Sequence, residues 1–192
     1  MSGNTTLPRL HGGFAAFLEE VDGLVRLSGL SDLALCAALG RELRPLLIDA
    51  RWVPTELTEP VLEPYRRECL YEASDGTYSV GLFTWYPGRR SRIHDHYGWS
   101  IVGNISGVLR SEHFLAVDPG RAVKHLSDSL LRPGEVLAST PGTGDIHRIS
   151  VASPGKSVSI HLYGSRFDAV NRAYYTEVEE RDSVTESSHP KI

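Results

Sequence analysis

Residues 91–114 read SRIHDHYGWSIVGNISGVLRSEHF, and two histidines, His94 and His96, stand two positions apart near the start. A β-strand turns successive side chains to opposite faces, so positions i and i+2 share a face. On a strand, both imidazoles can reach one metal ion, while Asp95 between them points away and is an unlikely ligand. Glycines punctuate the rest of the segment at Gly98, Gly103 and Gly107, as turns between short strands require. Two later segments answer this one. Residues 144–150, GDIHRIS, carry His147 where a turn leads into an apolar stretch, and residues 158–164, VSIHLYG, carry His161 in an alternating run. A lone HxH also arises by chance on strands. Here the two further histidines favour convergence of three on one ion. Neutral imidazole suits Fe, Zn, Cu or Ni.

Outward from this segment the chain breaks into short strands. Upstream, Tyr78–Tyr86 (YSVGLFTWY) is β-patterned and ends at Pro87-Gly88; Tyr65–Tyr71 precedes it across a hairpin signal at Ala73-Ser74-Asp75-Gly76. Arg92 to His96 begins the next strand. Downstream, Ser100–Asn104, Val108–Val117 and Val123–Leu131 continue the pattern, Pro133-Gly134 turns into a strand at Val136, and the loop Pro141–Gly144 delivers His147. Ser157–Tyr163 is the last clear core strand, and Phe167–Thr176 suits either helix or strand. Many short strands joined by Gly/Pro turns predict a mainly β protein, a jelly roll or barrel. Ahead of the strands, Phe14, Phe17, Leu18, Val21, Leu24 and Val25 recur at helical spacing. Ser31 or Asp32 caps a second helix running through Leu43, with Pro45 stopping or bending it. Both helices are expected to pack on the barrel. Residues 51–64, with Pro54, Pro60 and Pro64, read as a linker.

At 192 residues the chain suits one domain: a helical portion 1–50, a barrel core 65–176, and a charged, serine-rich tail 177–192 expected to fray, like the arm 1–10. Twenty basic against 24 acidic residues give a net charge of −4, which argues against nucleic acid or an anionic membrane as partner. No apolar run approaches the roughly 18 residues of a membrane span. The opening MSGNTTLPRLHGG lacks a basic-then-apolar signal. Two cysteines, Cys36 and Cys69, are too few for a disulfide framework. A cytoplasmic protein with reduced thiols is expected, as a monomer or small homo-oligomer. His113 and His125 sit in polar contexts without a completing partner, and His11 and His189 lie in terminal arms. Glu112 reaches the histidines only if its strand folds back toward them.

The pair His94–His96 followed by Gly107 resembles the first motif of the cupins, and the single His147 their second. Most cupins carry a Glu four residues after the second histidine; this chain has Ser100 there. A cupin without that Glu, but with Ser159-x-His161-x-Tyr163, resembles the thiol dioxygenases: cysteine dioxygenase and its bacterial relative 3-mercaptopropionate dioxygenase. The resemblance runs from about Tyr65 to Tyr175. It implies a cupin-type jelly-roll β-barrel and Fe(II) on His94, His96 and His147. It also implies O2 and a small thiol as substrates, with both oxygen atoms delivered to sulfur as a sulfinic acid. Tyr65 and Arg67 match the substrate-side Tyr-x-Arg of cysteine dioxygenase, and Trp85, nine residues before His94, also has a counterpart. Arg172, nine residues after Tyr163, matches the carboxylate-binding arginine of the 3-mercaptopropionate enzymes, which carry Gln where this chain has Arg67. L-cysteine is the expected substrate and 3-mercaptopropionate the alternative. With Ser100 in the Glu slot, the cysteine–tyrosine crosslink of the animal enzymes is not expected. A metal-dependent cupin isomerase with Zn, Mn or Ni leaves the Ser-His-Tyr run without a role. A ligand-sensing cupin lacks an evident DNA-binding helix pair.

The residue chemistry agrees with this. Three neutral imidazoles leave a divalent ion its full charge, which favours an anionic thiolate as an outside ligand. Arg67 offers a planar fork for a carboxylate, and Arg172 is a second candidate. Ser159, His161 and Tyr163 alternate, so they share a face as a hydrogen-bonded relay; Val158, Ile160 and Leu162 face a core outside the barrel.

Overall fold

Alternation along the strands sorts the side chains of two sheets into two main cores and a smaller third cluster around Phe114 and Val123. The computed structural model describes residues 12–27, 29–117, 121–141 and 146–178, with the side chain of Arg172 outside that description. The expected arm 1–10, the tail beyond 178 and most of the loop before His147 also fall outside it. The strands are β1 (Tyr65–Glu72), β2 (Ser79–Trp85), β3 (His94–His96), β4 (Ser100–Ser106), β5 (Leu109–Ala116), β6 (Ala122–Leu131), β7 (Val136–Ser139), β8 (His147–Val151), β9 (Ser157–Tyr163), β10 (Asn171–Tyr174) and β11 (Thr176–Glu177). One sheet has the order β1-β2-β9-β4-β7 and the other β10-β3-β8-β5-β6-β11, the double-sheet jelly-roll barrel expected from the strand spacing.

The central strands of the first sheet, β2, β9 and β4, are buried on both faces. Val80, Leu82, Ile101, Val158, Ile160 and Leu162 join one core with the helices, α1 (Gly12–Arg26) and α2 (Asp32–Ile48). Phe83, Trp85, Val102 and Tyr163 join a second core with Leu109, Leu131 and Ile149 of the other sheet. This is the division expected from the alternation in β9. Gly103 of β4 lies beneath α2. A Cβ there would stand 2.7 Å from Leu43 and 2.8 Å from Leu47, so the glycine lets helix and sheet approach. Gly107, at φ +69°, makes the turn from β4 to β5, and a Cβ there would meet Ser157 Oγ at 2.3 Å. The motif glycine is thus a backbone requirement.

Two expectations are corrected, the end of the second helix and the start of the tail, and one left open, Phe167–Thr176, is resolved. Ser31 caps α2 as one of the two candidates, accepting from Ala34 N–H at 3.3 Å, but the helix does not end near Leu43. It runs through Pro45 to Ile48, closing its last turn with Asp49 N–H to the Pro45 carbonyl at 3.1 Å. Burial of Leu46 and Leu47 offsets the one helix bond that proline cannot make. Phe167–Thr176 resolves into a short 3-10 turn, Phe167–Ala169, and then strand. The tail does not fray from Glu177. β11 pairs with Ala122 and Val123, Val178 N–H donates to the Val123 carbonyl at 2.9 Å, and Glu177 pairs with Arg148 at 3.1 Å. No helix among the described residues is long and apolar enough to cross a membrane.

Candidate active site

The antiparallel register sets the histidines together. His94 of β3 and His147 of β8 are direct cross-strand partners, and His96 follows on the same face of β3. Their ligating nitrogens all lie within 4.8 Å of one another, and no carboxylate among the described residues belongs to the group. His94 Nδ1–H donates to the Arg92 carbonyl at 2.8 Å, which leaves Nε2 with its lone pair for an ion. His96 is 3% exposed, yet neither of its ring nitrogens has a hydrogen-bond partner among the described residues. A buried imidazole left unpaired is costly, and a bound metal relieves that cost. Burial pushes the His96 pKa down to about 3, with His94 adding to the effect. The ring is therefore held in the neutral form that ligation needs. On these grounds the three histidines fit a divalent metal ion.

The neighbouring carboxylates are engaged elsewhere. Asp95 is fully buried and turned away from the cluster; its Oδ1 accepts from Ala173 N–H and its Oδ2 from the Tyr175 hydroxyl, each at 2.8 Å. Glu112 forms a bidentate pair with Arg148 at 2.6 and 2.8 Å and supplies nothing to the histidines. His113, which faces His147 across β5 and β8, contacts Ser129 Oγ at 3.2 Å, and His125 contacts Asp128 at 2.8 Å; neither belongs to the group of three.

On β9 the expected relay is present. Ser159 Oγ stands 2.9 Å from His161 Nε2, and His161 Nδ1 stands 2.9 Å from the Tyr163 hydroxyl. Trp85 adds a link that spacing alone does not reveal: its Nε1–H donates to Ser159 Oγ at 2.9 Å. Burial, reinforced by His96, His94 and Arg67, holds the His161 pKa well below the ordinary imidazole value. Burial likewise raises the Tyr163 phenol far above its usual range, so it stays protonated. The Tyr163 ring lies 5.3 Å from that of His96, which joins the relay to the histidine cluster.

Between relay and cluster lies a cavity of about 30 Å³ whose lining includes Tyr65, Arg67, Trp85, His94, His147, His161 and Tyr163. Tyr65 stacks on Trp85 at 4.3 Å between centroids. Arg67 sits at the mouth, its side chain 33% exposed, with its guanidinium 4.1 Å over the Phe167 ring, bonded to the Phe167 carbonyl and 3.8 Å from Asp168. Arg172 lies on β10 beside Asn171, whose Cα pairs with His96. Sequence reasoning missed five lining residues, Phe83, Ser91, Ile149, Val170 and Asn171. Only nearness to known positions could have found them: Ile149 stands two after His147 and Asn171 one before Arg172. Ser100 pairs with Tyr163 across β4 and β9 and offers a hydroxyl where a thioether would need sulfur. Cys36 is buried in α2, its thiol pushed up to about 11 by burial, and Cys69 contacts the Tyr71 carbonyl on β1. A larger groove of about 690 Å³ lies against α1 and α2, and its described lining holds no histidine, cysteine or serine.

A jelly-roll barrel with histidines from two facing motifs around one ion site defines a cupin-type metal protein. Residues 59–176, more than half of the chain, match the family described as cysteine dioxygenase type I. The chain belongs to that family, a cupin-type group of thiol dioxygenases. Among solved structures it is similar to an uncharacterised conserved protein with a double-stranded β-helix domain from Klebsiella pneumoniae, with 16% identity, covering 65% of this chain and 100% of that one at a TM-score of 0.47. It is also similar to a cupin superfamily protein from Desulfitobacterium hafniense, with 16% identity, 59% and 90% coverage and a TM-score of 0.43. A cupin-like protein from Thermotoga maritima gives 18% identity, 60% and 79% coverage and a TM-score of 0.43. The family match carries the assignment, and these distant likenesses do not.

Proposed function

We propose that this chain is a non-haem Fe(II) dioxygenase that oxidises a small thiol acid, L-cysteine, to its sulfinic acid with O2. One observation carries the reading. A cluster of three histidines, with no carboxylate among the described residues, shares a small cavity with an arginine and with a tyrosine-terminated relay. His94, His96 and His147 would hold the iron, which supplies thiol activation and the redox chemistry that brings dioxygen to sulfur. Both oxygen atoms end on sulfur and the thiol provides all the electrons, so no external reductant is consumed.

The residues have separable tasks. Three neutral imidazoles would leave a divalent ion its full charge, so the site is receptive to a thiolate. Arg67 binds the substrate carboxylate by its planar fork, exchanging its contact with Asp168 for the ligand. Tyr65 and Trp85 form an aromatic wall, and with Phe83 they keep water from the relay. Tyr163, protonated and aimed by His161, donates a hydrogen bond into the cavity that orients the reacting groups. Arg172 sits on the strand paired with β3, which supports 3-mercaptopropionate as the alternative substrate, with Arg172 taking the carboxylate.

The deciding experiment is oxygen consumption by the Fe(II)-loaded protein, with L-cysteine and 3-mercaptopropionate offered side by side. Uptake matched by cysteine sulfinate is expected. Faster turnover of 3-mercaptopropionate would transfer the substrate assignment, and absence of uptake with either at full iron loading would overturn the reading.

A further inference from the structure

We infer that Trp85 is a positioning residue that fixes the direction of the Ser159–His161–Tyr163 relay, so that the Tyr163 hydroxyl proton is delivered into the cavity and not back to His161. An indole N–H is donor only, whereas a serine hydroxyl has one proton and an imidazole can present either tautomer. Trp85 Nε1–H reaches Ser159 Oγ at 2.9 Å and thereby occupies it as an acceptor. Ser159 is fully buried, and the described contacts give its hydroxyl one other partner, His161 Nε2 at 2.9 Å. If Nε2 carried a proton, both neighbours of Ser159 would donate to it. Its own proton would then be buried without an acceptor, a costly arrangement. Ser159 therefore donates to Nε2.

The rest follows along the strand. A neutral imidazole that accepts at Nε2 carries its proton at Nδ1, and Nδ1 stands 2.9 Å from the Tyr163 hydroxyl. The phenol oxygen accepts there, so its own proton turns away from His161. His161 is 3% exposed, and burial keeps it neutral, which supports a single tautomer. Phe83 stacks on the His161 ring at 4.0 Å and holds its plane. Register explains why Trp85 can act at this distance in sequence. Phe83 of β2 faces Ser159 of β9, and Trp85, two residues on, shares that face.

The consequence for turnover rests on the proposed dioxygenase role, but the polarity itself does not. The test is therefore the His161 tautomer, read from imidazole 15N shifts in the full chain loaded with Zn(II) as a diamagnetic probe. Wild-type protein should show the Nδ1–H form; a dominant Nε2–H form would overturn the inference. Trp85→Phe keeps an aromatic ring and removes the donor, and the Nε2–H form should then appear. A Trp85→Phe protein that keeps the pure Nδ1–H tautomer would remove Trp85 from the role. Should that variant not fold, Ser159→Ala tests the same link, since His161 Nε2 then loses its donor and the tautomers should mix; an unchanged tautomer there overturns the inference. In the iron-loaded enzyme, Trp85→Phe should lower kcat by roughly 10-fold or more with a smaller change in KM. Combining it with Ser159→Ala should cost little beyond the worse single variant, because both act through one hydrogen-bond chain. Additive losses would show independent roles and defeat the proposal.

Discussion

Each imidazole of the cluster is prepared by a different device. His94 is oriented by the Arg92 carbonyl, His96 is kept neutral by burial, and His147 is set by its register opposite His94. Removing any one leaves two ligands on a small site. His94→Ala, His96→Ala and His147→Ala should each lose metal, by at least about 100-fold in affinity, measured by metal content after dialysis. Full iron retention in any of them would exclude that residue as a ligand. Arg67→Ala should instead raise KM for cysteine by roughly 10- to 100-fold with iron content unchanged, since a charge-assisted fork is lost and the cluster is untouched. An unchanged KM would move the carboxylate to Arg172. These placements were legible because strand spacing of two is a local rule: it brings His94 with His96, and Ser159 with His161 and Tyr163. The job of Asp95 was only half legible. Its outward direction follows from the same rule, but its partners Ala173 and Tyr175 lie about 80 residues away and arrive through tertiary pairing.

Among the elements, β3 is short and depends on what flanks it. Asp95 ties it to β10, the strand that carries Asn171 into the cavity lining. Asp95→Ala would leave the Ala173 amide and the Tyr175 hydroxyl without that acceptor. It should destabilise the fold by about 2–5 kcal/mol in urea unfolding of the metal-free protein, with Asp95→Asn milder because one acceptor remains. Equal stability of Asp95→Ala and wild type would refute the tie. The contact of α2 with β4 gives a second case. Gly103→Ala places a methyl 2.7 Å from Leu43 and should cost about 1–3 kcal/mol by the same measurement, without altering the ligand set. Element type was well legible here, and element ends were not. Pro45 is a local stop signal, but α2 continues past it because Leu46 and Leu47 gain burial in the core shared by the helices and the sheet, a tertiary term invisible to local spacing.

At the level of the whole molecule, turns and alternation announce a jelly roll but leave its strand order open. β9 lies between β2 and β4, and β8 between β3 and β5, pairings between segments far apart in sequence. Closure at the far end of the chain also uses charge. Arg148, next to His147 on β8, holds Glu112 of β5 in a bidentate pair and reaches Glu177 of β11 at 3.1 Å, joining three strands of one sheet. The pair is well covered, with the two side chains 11% and 13% exposed. The hydrogen bonds from Arg148, followed by its charge, hold the Glu112 carboxyl below its ordinary value of 4.5. The unfolded chain then binds a proton at higher pH than the folded one. The stability that Glu112 contributes is fully present above about pH 4.5 and is lost as pH falls through its lowered folded value. Glu112→Gln should therefore cost about 1–3 kcal/mol at neutral pH and flatten the acid limb of the stability curve, because this proton no longer couples to folding. The measurement is urea unfolding of both proteins from pH 7 down to pH 3. The two curves should converge toward the acid end; parallel curves would show that Glu112 is not the linked group.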